Sequence, residues 1–92
     1  MLIKLIAVEQ QMRGGTASLS EVYLNPQHII SVTHDSRANE MLISEATRLG
    51  LDPNVSFSRV TVHEGNNPKV LTIVGTPAEI YQRVKKKQIL RG

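Results

Sequence analysis

The sequence predicts a mainly β protein: a small five-stranded, strongly bent sheet or barrel, with one helical insertion and a C-terminal helix. Three observations predict it. Five short segments are rich in Leu, Ile, Val and Thr. Gly, Asn and Pro punctuate the intervals between most of them. Only two stretches carry helix-start signals, at Ser36 and at Thr76-Pro77.

Leu2 to Val8 is dense in Leu and Ile and reads as a first, largely buried strand. Gln10 to Gly15 is polar and ends on Gly14-Gly15, a turn signal. Thr16 to Leu24 reads as a second strand. Ala17, Leu19 and Tyr23 share one parity, Val22 and Leu24 the other, so a kink or change of face is expected near Glu21. Asn25-Pro26 predicts a turn, because proline lacks an N–H and fixes φ. His28 to His34 reads as a third strand.

The helical insertion is expected at about residues 36–50, with Ser36 as its cap and Glu40 in its first turn. Ala38, Met41, Leu42, Ala46 and Leu49 recur at helical spacing. Gly50 is the expected stop, and Pro53 blocks continuation. Phe57 to His63 returns to alternation: Arg59, Thr61 and His63 share one face, Ser58, Val60 and Val62 the other. Gly65 to Pro68 predicts a turn, and Val70 to Val74 a fifth strand. Thr76, Pro77 and Glu79 then form a capping box, opening a helix expected at about residues 77–88.

The 92 residues make a single domain, 1–92. A core this small is marginal alone, and no cysteine is present to staple it, so self-association is expected. No apolar run is long enough to span a membrane, and the start MLIKLIAV is too short for a signal-peptide core. A cytoplasmic protein is therefore expected. The formal charge of +3 gathers near the C-terminus, at Arg83, Lys85, Lys86, Lys87 and Arg91. Such a cluster suits phosphate contact or a solvated helix face. The histidines show no metal-ligand spacing, and the serines no nucleophile elbow. No enzyme activity, metal or cofactor is expected.

The stretch GTASLSEVYLN places Gly15, Glu21 and Asn25 in a spaced triplet, with Tyr23 two residues before the asparagine. This resembles the first motif of the Sm-like (LSm and Hfq) proteins. The resemblance implies a homo-oligomeric ring binding RNA or single-stranded nucleic acid, with Tyr23 stacking on a base and Asn25 reading its edge. It also implies closure of the ring by pairing the fourth strand of one subunit with the fifth of the next. The second family motif ends a strand in Arg-Gly. Here Gly65 matches the glycine, and Glu64 stands at the arginine position. His63, Gly65, Asn66 and Lys69 complete the nucleic-acid-binding set that the resemblance implies. The other reading of the first motif places Tyr23 in the core and gives Asn25 to an Asn-Pro turn. The segments VYLNPQHIISV and VGTPAEI are similar to short proteins of marine cyanophages, which implies a phage-encoded protein in the host cytoplasm. The opening also looks like the FlbD family of flagellar proteins. A protein-interaction or assembly module on a small β scaffold, without nucleic-acid binding, is the alternative function.

Overall fold

A computed structural model of the chain describes residues 2–10, 17–42 and 45–91; of residues 86–91 it describes the backbone. The expected turn at Gly14-Gly15, the motif residue Gly15 and the side chains of Lys86, Lys87 and Arg91 lie outside the described residues. Five antiparallel strands form one sheet: β1 (Ile3–Gln10), β2 (Ala17–Leu24), β3 (Ile29–His34), β4 (Phe57–Glu64) and β5 (Asn67–Val74). Among the described residues two α-helices accompany them, α1 (Ser36–Leu42) between β3 and β4, and α2 (Pro77–Arg91) after β5. A short 3-10 turn, Pro26–His28, joins β2 to β3.

The spatial order is β2-β1-β5-β4-β3. Neighbours in space are neighbours in sequence except where β1 meets β5, and the consecutive strands β2 and β3 lie at opposite edges. The sheet is bent but not closed. Long ladders join β1 to β2 and β4 to β5, whereas β1 meets β5 in register only at Ala7↔Ile73. The β1–β2 hairpin therefore folds over the β3–β4–β5 meander at that point. Ile3, Leu5 and Ala7 of β1 bury themselves with Val60, Val62 and Ile73, and Ile80 of α2 completes this cluster. A second cluster joins Ala17, Leu42 and Phe57, backed by Val8, Leu49 and Val74. Burial of each Val, Leu, Ile or Phe side chain among them is worth about 1.5–3 kcal/mol before entropy is subtracted.

The two clusters explain the expected change of face in β2. Its register with β1 runs without a bulge, from Ile3↔Leu24 to Gln10↔Ala17. Ala17 is buried in the second cluster, while Val22 and Leu24 pack on the first from the opposite side of the strand. No kink is needed.

The helical insertion differs from expectation. Helix α1 is described as far as Leu42, and Ala46 to Gly50 are turns, although Ala46 is fully buried and Leu49 packs as the periodicity required. Asp35, not Ser36, caps α1: its Oδ1 accepts the Ala38 N–H at 3.0 Å. Asp35 is buried and lies 3.8 Å from Arg59, which a solvent-facing Ser36 could not match. Glu40 falls outside the first turn. Gly50 adopts φ +78, where only glycine avoids strain, and ends the segment as expected. Thr76 caps α2 by accepting the Glu79 N–H at 3.1 Å, and its hydroxyl donates to Glu79 Oε1.

Asn67 and Pro68 belong to β5 rather than to a turn, pairing with Glu64 and His63. The proline is tolerated because β1 pairs only near the other end of β5, so no ladder bond is lost on that side. The turn shrinks to Gly65-Asn66, with Gly65 at φ +60, the pattern of a two-residue hairpin led by glycine.

Candidate nucleic-acid interface

The folding of the β1–β2 hairpin across the meander leaves a groove of about 560 Å³ between the end of β2 and the β4–β5 hairpin. Tyr23, Leu24 and Asn25 line one wall, and Val62, His63 and Lys69 the other. Four of the six residues implied by the Sm-like resemblance, Tyr23, Asn25, His63 and Lys69, thus share one groove. Gly65 and Asn66 do not line it; they sit at the exposed hairpin tip.

Each wall has a local cause. Tyr23 pairs with Lys4 on the outward face of the hairpin and stays 59% exposed. The core alternative for Tyr23 is therefore overturned: the inward positions of β2 are Val22 and Leu24. Asn25 does begin the Asn-Pro turn. Its Oδ1 accepts the Gln27 N–H at 2.9 Å, and its carbonyl accepts the His28 N–H at 2.9 Å. The Nδ2 group is left to donate. One residue thus serves both the turn and the groove.

On the other wall, His63 is on the exposed face of β4, opposite Pro68. Lys69 pairs with Val62, and its Nζ lies 3.8 Å from Glu64 Oε2. Both partners are mostly exposed, so the pair contributes roughly 0–1 kcal/mol to stability. Its larger effect is electrostatic: Glu64 offsets the cation in the groove. A second exposed pair, Lys4–Glu21 at 3.2 Å, lies beside Tyr23 and uses the acidic residue of the first motif.

The sequence did not indicate the apolar lining, Leu2, Val22, Leu24, Val62 and Leu71, nor His28. Leu2 reads as part of a buried strand yet is 56% exposed, because it lies just ahead of β1. No local pattern marks these residues as a set, since they come from separate elements of the sheet and the Pro26–His28 turn.

A second cavity, about 460 Å³, lies between the start of α2 and β1. Its polar groups are engaged internally. Glu79 accepts from the Thr76 hydroxyl, Asp52 accepts the Asn54 N–H, and Arg83 donates to the Lys4 carbonyl at 2.8 Å. Among the described residues no three His, Cys, Asp or Glu side chains are placed to hold a metal ion. Among the same residues no helix is long and apolar enough to cross a membrane.

The implied ring closure requires correction. β4 and β5 pair with each other within one chain over eight residue pairs, from Phe57↔Val74 to Glu64↔Asn67. β4 also pairs with β3, so it has no free side for a neighbouring subunit, while β5 meets β1 only at Ala7↔Ile73. The tight Gly65-Asn66 turn makes the internal pairing the shortest connection. No family model, characterised protein or solved structure matches the chain.

Proposed function

We propose that this chain is a non-enzymatic, Sm-like protein that binds RNA or single-stranded nucleic acid in the groove between Asn25 and the β4–β5 hairpin. The observation supporting it is the meeting of Tyr23, Asn25, His63 and Lys69 on the walls of one groove. An exposed tyrosine ring offers a sequence-tolerant stack worth about 1–3 kcal/mol per base. The Asn25 Nδ2 donor suits a base carbonyl, and Lys69 suits a phosphate. A phage-encoded role in RNA metabolism in the host cytoplasm belongs to the same proposal. So does a homo-oligomer.

Fluorescence anisotropy with labelled oligo-U and oligo-A tests the proposal. Saturable binding at low salt that weakens as salt rises is expected. Absence of binding at low salt by the folded protein rejects it. One observation favours the alternative of a protein-interaction module: Glu64 already offsets Lys69. Docking of a protein partner unaffected by salt, with no oligonucleotide binding, would establish that alternative.

A further inference from the structure

We propose that helix α2 extends the nucleic-acid track beyond the groove: the helix flank at positions 83, 86 and 87 holds the phosphates of a strand whose bases enter the groove beside Tyr23. This rests on the nucleic-acid reading of the groove, and it names the part of the partner that α2 binds.

The groove alone is poor in free charge. Lys69 is offset by Glu64 at 3.8 Å, and Lys4, the cross-strand partner of Tyr23, by Glu21 at 3.2 Å. A polyanion needs cations that no neighbouring acid offsets. Helix α2 supplies them. Its one acid, Glu79, sits in the first turn and accepts from the Thr76 hydroxyl. Arg83, Lys85, Lys86, Lys87 and Arg91 follow, with no acid among them.

The fold sets this helix at the border of the groove. Arg83 donates to the Lys4 carbonyl at 2.8 Å, and Lys4 pairs with Tyr23 of the groove wall. Helix α2 also packs against the Pro26–His28 turn, whose His28 lines the groove. The Arg83 guanidinium gives part of its donor fork to that carbonyl and keeps its charge, and the residue stays exposed. The backbone of α2 places positions 86 and 87 three and four residues beyond Arg83, on the same flank of the helix. Position 85 lies two residues beyond Arg83, away from that flank. Like charges at the closer spacings repel one another and weaken a helix that has no counter-anion. A phosphate chain laid along the flank relieves that repulsion.

Fluorescence anisotropy at low salt, with labelled oligo-U of about four and about twelve nucleotides, tests the track. Lys87→Gln should weaken binding of the longer strand several-fold and lower its salt slope by about 0.7, while leaving the shorter strand unchanged. Lys85→Gln, which removes the same charge off the flank, should change neither by more than about twofold. Both variants keep a good helix former, and circular dichroism checks that they do. Tyr23→Ala should weaken both strands. Equal effects of Lys87→Gln and Lys85→Gln on the longer strand overturn the proposal, since net charge alone would then be acting. Binding of both strands that Lys87→Gln leaves unchanged overturns it too, and leaves the groove reading standing. Failure of the unmodified protein to bind either strand overturns both.

Discussion

The side chain of Asn39 accepts the backbone N–H of Phe57 at 2.9 Å, tying helix α1 to the first residue of β4. The Phe57 carbonyl in turn accepts the Asp35 N–H at 3.0 Å. Both backbone groups of a fully buried residue are thus satisfied from the helical insertion. Asn39→Ala leaves the N–H without its partner and should cost about 1–3 kcal/mol. Asn39→Asp keeps an acceptor and should cost less. Chemical denaturation of the two variants, compared at constant m-value, measures the difference.

Tyr23→Ala separates binding from folding. The ring is mostly exposed, so stability should change by less than about 0.5 kcal/mol. Oligonucleotide affinity should fall by about 1–3 kcal/mol if the ring stacks on a base. Thermal melts and anisotropy on the same preparation check both halves.

Glu64→Arg should strengthen oligonucleotide binding. The change removes the acid 3.8 Å from Lys69 and adds a cation at the groove. The gain should shrink as salt rises, because each added phosphate contact releases counterions. Unchanged affinity across a salt series would show that the wall formed by β4 and β5 does not meet the phosphates.

Ile73→Pro should unfold the protein rather than only change its assembly. Ile73 is fully buried and is paired to both Ala7 and Ser58. Proline in a central strand removes a ladder bond, and the lost aliphatic side chain alone is worth about 2–5 kcal/mol. Circular dichroism should show loss of β-structure at ambient temperature.

Strand-forming stretches were legible because β alternation is a local property. Arg59, Thr61 and His63 face outward and Ser58, Val60 and Val62 inward, as their parity requires. The capping of α2 was legible for the same reason, since Thr76 and Glu79 lie three residues apart. The length of α1 was not. Ala46 is buried and Leu49 packs on the second cluster, and a turn can place them there as well as a helix. Pro68 misled because its strand pairing depends on where β1 leaves β5. Of the site, the sequence indicated Tyr23 and Asn25 by a spaced motif. It could not show that Leu2 and Leu71 meet them: the β1–β2 register, ending at Ile3↔Leu24, brings Leu2 close, and Leu71 comes from another strand.

The unequal cover along the β4–β5 hairpin has a consequence for motion. At its base, Phe57, Ser58 and Ile73 are fully enclosed. At its tip, every residue from His63 to Val70 is exposed. Local opening takes least free energy where few apolar contacts must separate. Amide protons near the tip should therefore exchange with solvent by fraying, while those of Phe57 and Ile73 wait for global unfolding. The wall carrying His63 and Lys69 can then adjust to what enters the groove without disturbing the anchored end of the same two strands.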